Sequence, residues 1–355
     1  MMGRSLALIL GCVLGGPLLA SAGWNPGEPL AARAAGAVPQ TPDGFAADSA
    51  VIDHPYFPLA SGEVWAFTGY GERSGELFLY TAGDVASADG VACLPVLYQY
   101  FYGADYTESF ACLATDRSGV VWEVSNPTPT LFLWADLRVG DTLTYADGVR
   151  DTVTSLDAQV DLLRTGFGAF SGCMSQSQTF PDGAQRQSYH APGTGLIKLE
   201  SAGGGFDRVP LGQPQEGFGT LQFGAEVYDA VEEDGTFPVT VVRSGGSQEV
   251  VWVEFEVTGV QSHIVEEGAE VSYFDPDPKT VYLAPGQSSV IFDVAVLDNK
   301  VWNNGGTGTI ELSSPGGGAT LGERATATVQ IEEGEAGEKA GTFIGPCFLD
   351  TLTSW

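Results

Sequence analysis

The chain has 355 residues, with 45 acidic and 15 basic side chains and a formal net charge of −30. This length is sufficient for two domains that each have a hydrophobic core. The negative charge disfavours nucleic acid and anionic membrane surfaces as partners, because both would be repelled. The 48 glycines, the 20 prolines and the lack of long apolar helical periods after the N-terminus favour β-structure with many turns.

The first 22 residues have the three parts of a secretory signal peptide. Residues 1–4 form a short segment with a basic residue, and residues 5–19 form an apolar segment. Residues 20–22 have the small-x-small form that signal peptidase cuts. We therefore expect export to the periplasm, the cell surface or the medium, with a mature chain that begins at Gly23. A lipoprotein-type site at Cys12 is the alternative, although few apolar residues precede it.

The remaining chain divides by composition into five parts, and its predicted fold class is all-β. We expect a disordered lead-in over residues 23–48, an antiparallel β-domain over 49–211, a linker over 212–217, an Ig-like β-sandwich over 218–333 and a flexible tail over 334–355. No stretch after the signal peptide reaches the roughly 18 apolar residues that a spanning helix needs. We therefore expect no integral membrane segment in the mature chain.

Two motifs lie near the ends of the first predicted domain. The first is Phe57-Pro-Leu59 followed by Gly62 and Trp65, and the second runs from Tyr189 to Lys198 as Tyr-His-Ala-Pro-Gly-Thr-Gly-Leu-Ile-Lys. Together they resemble the opening and closing signatures of a domain of bacterial exported proteins. The resemblance implies a β-rich fold and no known chemistry.

A turn pattern occurs twice in this domain. Residues 59–67 read Leu-x-x-Gly-Glu-x-Trp-x-Phe, and residues 137–145 read Leu-x-x-Gly-Asp-x-Leu-x-Tyr. In both copies a Gly-acid turn leads into alternating large apolar positions, which is how a half-buried strand begins. The repeat predicts two related halves of one curved antiparallel sheet.

Four cysteines remain after the predicted cleavage, and pairing is expected in an oxidising compartment. The segments on either side of Gly103 predict a hairpin that brings Cys93 and Cys112 within about a residue of opposition, which favours a cross-strand disulfide. Cys173 is interpreted as a buried free thiol, and Cys347 as a thiol in the tail.

The predicted sandwich contains six short runs rich in β-branched and aromatic residues. They lie at residues 237–243, 250–257, 280–283, 290–297, 309–312 and 325–331. The segments that punctuate these runs follow an order that resembles the Calx-beta domain. These segments are the acidic start at 231–235, Arg-Ser-Gly-Gly at 243–246, Leu-Ala-Pro-Gly at 283–286, and the segments 294–299, 312–315 and 329–333.

The Calx-beta resemblance implies a candidate calcium site. Calx-beta domains that bind calcium collect carboxylates from loops at one end of the sandwich, as suits an ion that takes six to eight oxygen ligands. The matching residues here are Glu232, Glu233, Asp298, Asn299, Glu332 and Glu333. However, Tyr273 replaces an acidic residue of the family pattern, and Asn-Asn-Gly-Gly at 303–306 replaces an acidic stretch. We therefore expect no cofactor, with calcium as the alternative.

The sequence lacks the common catalytic motifs Gly-x-Ser-x-Gly, His-Glu-x-x-His and Cys-x-x-Cys, and it lacks a P-loop. Of its three histidines, His54 and His263 are predicted to lie at the surface, and His190 belongs to the second motif.

We predict a non-catalytic exported structural or binding protein with a degenerate Calx-beta module, whose partner is a protein or a surface polymer. One alternative is a calcium-dependent cell-surface adhesion protein. Another is a secreted hydrolase in which His190 and a carboxylate converge in a pocket of the N-terminal domain.

Overall fold

The computed structural model describes residues 42–125, 129–144, 148–258, 263–264, 270–271, 274, 279–297 and 306–332. The predicted signal peptide, most of the lead-in and the tail with Cys347 lie outside these residues. The regular structure of the described part consists of 26 strands and one short 3₁₀ helix, Glu232–Asp234. This confirms the predicted all-β class. Within the described ranges, no helix is long and apolar enough to cross a membrane.

The strands are numbered in chain order. They are β1 (Ile52–His54), β2 (Phe57–Leu59), β3 (Val64–Gly71), β4 (Leu77–Ala82), β5 (Ala86–Ala88), β6 (Val91–Tyr102), β7 (Asp105–Thr115), β8 (Val121–Glu123), β9 (Thr130–Leu133), β10 (Thr142–Thr144), β11 (Arg150–Leu162), β12 (Gly168–Thr179), β13 (Gln185–Ala191), β14 (Gly195–Ser201), β15 (Gly204–Arg208), β16 (Thr220–Phe223), β17 (Val227–Val231), β18 (Thr236–Ser244), β19 (Val251–Thr258), β20 (His263–Ile264), β21 (Glu270–Val271), β22 (Lys279–Leu283), β23 (Ser289–Ala295), β24 (Gly306–Gly316), β25 (Thr320–Leu321) and β26 (Thr326–Glu332).

Strands β3 to β15 form one antiparallel sheet of 13 strands. Two six-stranded meanders make up most of it, one from β10 to β15 and the other through β3, β4, β6, β7, β8 and β9. They join where β15 pairs with β3, and β5 adds to the edge of β6. This arrangement agrees with the two related halves that the sequence repeat predicts.

The large sheet curves around an aromatic core. Phe57 from the β1–β2 hairpin packs with its ring centroid 5.2 Å from Trp65 of β3 and 5.1 Å from Phe132 of β9. At the far edges of the sheet, Leu131 of β9 and Leu143 of β10 belong to one buried cluster. Since these two strands lie at opposite ends of the strand order, the sheet must roll up to bring them together.

The predicted hairpin and its disulfide are present. Strands β6 and β7 turn around Gly103, which has a φ of 54°. Cys93 and Cys112 are bonded, with their Cα atoms 5.5 Å apart. The register differs from the prediction: Pro95 lies opposite Cys112, so the two cysteines are offset by two positions and not by about one. An offset of two places both side chains on the same face of the sheet, where they can be bonded. Cys173 is a buried free thiol, as predicted.

The C-terminal part is a sandwich of two sheets. One sheet has the order β23-β18-β16-β25, and the other has the order β17-β26-β24-β19-β22. Alternating residues of both sheets fill a common core, including Phe223, Val241, Phe255 and Ile310. The six runs found in the sequence correspond to β18, β19, β22, β23, β24 and β26, and β16 and β17 precede them.

The sandwich packs directly against the outer face of the curved sheet. A buried apolar cluster at this junction combines Ala66 of β3 and Leu77 of β4 with Tyr282 and Ala284 from β22 and its following turn. The predicted linker at 212–217 also makes backbone hydrogen bonds to the sandwich, including one from Gly212 N to Gly286 O at 2.9 Å.

Candidate functional site

Three of the predicted calcium ligands lie in described residues at one end of the sandwich. Val231 pairs with Glu332 in the parallel β17–β26 ladder, and Glu232 and Glu233 follow Val231 in the 3₁₀ helix. The end of β23 approaches the same turn, because Val296 N donates a hydrogen bond of 2.9 Å to Gly235 O. The other three candidates, Asp298, Asn299 and Glu333, lie outside the described residues.

The described acidic side chains at this end differ in exposure. Glu232 is only 4% exposed, whereas Glu233 and Glu332 are exposed to solvent. Within the described part of the chain, no group of three or more His, Cys, Asp or Glu side chains is placed to hold a metal ion. The calcium site therefore stays a prediction, with half of its candidate ligands located outside the described ranges.

His190 lies inside the curved sheet. It is 6% exposed, its Nδ1 is 3.2 Å from the carbonyl oxygen of Tyr56, and its ring is 6.4 Å from Phe57. Burial lowers the pKa of His190 to about 4, so the ring is neutral near pH 7. Its contacts among the described residues include no carboxylate, and its Nε2 has no hydrogen-bond partner there. Among the described residues, the partners of His190 are therefore a backbone carbonyl and aromatic rings, and no carboxylate forms a hydrogen bond with it.

The predicted surface position of His54 is wrong. This side chain is 5% exposed, its Nε2 is 2.8 Å from the carbonyl oxygen of Trp134, and its Nδ1 accepts a hydrogen bond from Tyr56 N. The segment that begins the first domain forms the β1–β2 hairpin and inserts into the rolled sheet, which is why His54 is covered. The side chain of His263 lies outside the described residues.

A polar cluster lies on the outer face of β13 and β14. The alternation along β14 places Lys198 and Glu200 on this face, while Leu199 between them joins the aromatic core. In the neighbouring strand, Tyr189 lies opposite Lys198 and Gln187 lies opposite Glu200. The second motif thus contributes its first and last residues, Tyr189 and Lys198, to one cross-strand pair.

Glu200 is at the centre of this cluster. Its Oε1 is 2.5 Å from Lys198 Nζ and accepts a hydrogen bond of 3.4 Å from the Tyr70 hydroxyl. Its Oε2 accepts a hydrogen bond of 2.9 Å from the Tyr189 hydroxyl. Partial burial alone would raise the pKa of Glu200, but the hydrogen bonds from Lys198 and Tyr189 lower it. The carboxylate is therefore ionised and held from three directions.

Asp207 extends the cluster towards the sandwich. It lies opposite Lys198 in the β14–β15 ladder, is 7% exposed, and has no hydrogen-bond partner at Oδ1 within the described residues. Burial raises the pKa of Asp207 to about 6, although Lys198 and Arg164 act against this. Arg164 in turn forms a 2.9 Å ion pair with Asp293 of β23. The polar cluster and the junction are thus electrostatically connected.

A cleft of about 370 Å³ opens beside Glu200. Its lining includes the side chains of Tyr70, Gln185, Gln187, Glu200 and Ser201. Arg186 also lines it, but the Arg186 side chain is only 6% exposed and donates a hydrogen bond of 3.1 Å to Gln178 Oε1 on the opposite face of β13. The lining therefore combines amide, hydroxyl and carboxylate groups, which suits a polar ligand better than an apolar one.

Part of this cluster is recognisable in the sequence. Tyr189 and Lys198 belong to the second motif, but Tyr70, Glu200 and Asp207 were not distinguished from other residues. The alternation within residues 185–191 and 195–201 could have placed Gln187, Tyr189, Lys198 and Glu200 on one face. No comparable signal reveals Tyr70, because β3 becomes a neighbour of β15 only when the two meanders join.

Comparisons with known proteins gave limited matches. No family model matches the chain. The adhesion G-protein coupled receptor V1 of Danio rerio is 26% identical over 156 residues, which cover 40% of this chain and 2% of that protein. The chain therefore spans a very small part of the length of this relative.

Three solved structures illustrate the structural neighbours. The apo form of the Calx CBD1 domain has a TM-score of 0.28 and 27% identity, covering 33% of this chain and 97% of that chain. The Calx CBD2 domain has a TM-score of 0.28 and 16% identity, covering 34% and 91%. An exported protein with a YmcC-like fold from Bacteroides fragilis has a TM-score of 0.26 and 13% identity, covering 43% and 96%.

Proposed function

We propose that this chain is an exported, non-catalytic structural and binding protein in which a Calx-beta-like sandwich is fixed against a curved antiparallel sheet. The observation that carries the proposal is the junction between the two parts. A structural protein that holds a binding surface in place needs domains that do not move relative to one another. A domain interface with a buried apolar core restricts this relative movement.

The junction combines apolar packing with directed polar contacts. Ala66, Leu77 and Ala284 are completely buried in the shared cluster, and Tyr282 is 5% exposed. The Tyr282 hydroxyl donates a hydrogen bond of 2.8 Å to Gly103 O in the β6–β7 turn. These contacts support a role in which the sandwich and the curved sheet act as one structural unit.

The Calx-beta part of the proposal rests on the order of the turn motifs between residues 231 and 333. The name of the curated relative, an adhesion receptor, supports a binding role at a surface. The signal-peptide features support export. We propose a protein or a surface polymer as the partner, because the net charge of −30 disfavours nucleic acid and anionic membranes. Tyr273, Asn303 and Gly306 stand where the family pattern has acidic residues, so we propose that the sandwich needs no calcium.

A calcium-dependent adhesion protein is the second candidate. Glu232 favours it, because this buried carboxylate lies beside Val231, which pairs with Glu332 at the sandwich end. Carboxylates gathered at one end are the ligands that calcium prefers. The two candidates differ in one measurable property, which is the effect of calcium on stability.

Thermal unfolding of the mature chain with about 1 mM calcium and with EDTA separates these candidates, since extracellular-type sites have dissociation constants of about 10⁻⁴–10⁻³ M. We expect nearly equal melting temperatures, because even a site half-saturated at that concentration adds only about 0.4 kcal/mol. A rise of several degrees that disappears in Asp298→Ala, but not in Glu254→Ala on the exposed face of β19, would favour calcium-dependent adhesion.

The proposed export is tested by amino-terminal sequencing of the exported protein. We expect the mature chain to begin at Gly23, and a lipid-modified Cys12 would contradict that cleavage site.

A further inference from the structure

We propose that the cleft beside Glu200 binds a neutral glycan. This inference rests on the proposed binding role and names the chemical class of the ligand. The cleft measures about 370 Å³, which falls at the lower end of the roughly 300–1,000 Å³ found for ligand pockets. Its size and its position on an open sheet face suit a short segment of a longer chain that passes across the surface.

The lining offers unused hydrogen-bonding capacity on fixed side chains. A carboxylate has about four lone-pair sites, and Lys198, Tyr70 and Tyr189 occupy three of those on Glu200. One site on Oε2 therefore remains for a ligand hydroxyl. The side chain of Glu200 is 36% exposed, so this site can be reached from solvent.

Neighbouring groups complete a set of donors and acceptors. Gln187 Nε2 donates a hydrogen bond of 3.1 Å to Thr154 Oγ1, which orients the amide and leaves its carbonyl oxygen and second N–H for a ligand. The Ser201 hydroxyl donates to Gly204 O at 3.0 Å and keeps its lone pairs as acceptors. A sugar hydroxyl is both a donor and an acceptor, so adjacent hydroxyls match this mixed lining.

The charge balance of the cleft favours a neutral ligand. Glu200 is paired with Lys198, so neither charge of this pair is left to select an anion or a cation. The Arg186 guanidinium is buried and hydrogen-bonded to Gln178 on the other face of β13, so it does not present its charge to the cleft. The formal charge of −30 on the whole chain also opposes the approach of an acidic polymer. Because three donors fix the Glu200 carboxylate before binding, little ordering of this group remains to oppose affinity.

Calorimetric titration of the mature protein with soluble hexasaccharides tests this proposal. The neutral probes are hexamers of glucose, mannose and N-acetylglucosamine, and the acidic comparison is a uronic acid hexamer. We expect saturable binding of at least one neutral probe and weaker binding of the acidic one. Glu200→Gln should weaken binding about tenfold or more, because hydrogen bonds to charged groups are the stronger class. Gln187→Ala should weaken it by a smaller factor.

The same sheet supplies a matched control. Gln99 and Glu108 form a directly opposed Gln–Glu pair on β6 and β7, away from the cleft. Glu108→Gln should therefore keep the affinity of the unmodified protein. Circular dichroism melting identifies any variant that fails to fold. If Glu200→Gln fails to fold, the loss of affinity in Gln187→Ala and Gln185→Ala shows whether the glycan binds at this cleft.

Three results would overturn the proposal. They are the absence of binding by every neutral probe, tighter binding of the uronic acid hexamer, and equal losses in Glu200→Gln and Glu108→Gln. None of these results depends on the calcium response, so the proposed calcium-independent structural role and the glycan site can fail separately.

Discussion

Glu63 and Asp141 perform the same structural task in the two meanders of the large sheet. Glu63 Oε2 accepts a hydrogen bond of 3.1 Å from Ala60 N, and Asp141 Oδ2 accepts one of 2.9 Å from Arg138 N. In each case the carboxylate closes the turn that precedes the first strand of a meander. The sequence repeat is therefore a repeat of a turn.

The glycine that precedes each of these acidic residues also has the same role in both turns. Gly62 and Gly140 have φ values of 79° and 93°, a region that favours glycine. Gly62 N donates to Ala82 O at 2.9 Å, and Gly140 N donates to Val153 O at 2.8 Å. Each turn is thus attached to the following strand of its meander by the same backbone contact.

Asp141→Ala should lower the free energy of unfolding by about 1 kcal/mol, because it removes the acceptor for Arg138 N. Glu63→Ala should cost more, since Glu63 Oε1 also accepts a hydrogen bond of 2.6 Å from the buried Trp65 indole. Urea denaturation measures both values. Asp136→Ala is the control, because this side chain is 75% exposed and its ion pair with the Arg138 side chain lies at the surface, where such pairs contribute little. An Asp141→Ala variant as stable as the control would contradict the proposed role of the turn.

The sequence predicted these turns because their signal is local. A glycine, an acid two positions before a large apolar residue, and alternation afterwards specify a turn and a strand without knowledge of distant partners. The Cys93–Cys112 bond was predictable for the same reason, since one hairpin around Gly103 brings the cysteines together. The all-β class followed from many such local signals.

The polar cluster around Glu200 and the burial of His54 could not be predicted in this way. Tyr70 reaches Glu200 across 130 positions of sequence, and its approach depends on how the two meanders join. His54 is buried because the β1–β2 hairpin inserts into the rolled sheet. Contacts between residues that are far apart in the chain produce no local pattern that a single sequence reveals.

Removing the disulfide should destabilise the fold. For a loop of about 15 residues the cross-link contributes about 3 kcal/mol in the chain-entropy model, and Cys93 and Cys112 are separated by 19 positions. Cys93→Ala combined with Cys112→Ala should therefore cost about 2–3 kcal/mol in urea denaturation. Dithiothreitol should lower the free energy of unfolding of the unmodified protein to that of the double variant. The Cys173→Ala variant should lose as much stability on reduction as the unmodified protein does. Peptide mapping that joins either cysteine to Cys173 would refute the pairing.

Tyr282 should control the coupling of the sandwich to the curved sheet. Tyr282→Ala removes a buried ring and the hydrogen bond to Gly103 O, and truncation of a buried aromatic costs about 3–5 kcal/mol. Differential scanning calorimetry should then show two transitions in place of one. Tyr282→Phe keeps the ring and should lose about 1 kcal/mol with a single transition. Two transitions in the unmodified protein would show that the junction does not couple the modules.

Glu123 makes stability depend on pH. This carboxyl is 5% exposed, its Oε1 has no hydrogen-bond partner in the described chain, and a hydrogen bond from Ser125 assists its charged form. Burial nevertheless raises the pKa of Glu123 from 4.5 to about 7. The folded protein therefore binds this proton more tightly than the unfolded chain does. Stability falls as the pH rises from about 4.5 to about 7, and the full cost is present above that window.

Glu123→Gln removes this ionisation and should raise the free energy of unfolding at pH 8 by about 1–3 kcal/mol, because one unit of pKa shift corresponds to about 1.4 kcal/mol. At pH 4 the variant and the unmodified protein should be nearly equal, since Glu123 is protonated in both states. Part of the pH dependence should persist in the variant, because burial also raises the pKa of Glu76 to about 7. Urea denaturation at several pH values measures the difference, with Glu254→Gln on the exposed face of β19 as the control. A Glu123→Gln variant that is less stable than the unmodified protein at pH 8 would show that the ionised carboxylate is compensated in the fold.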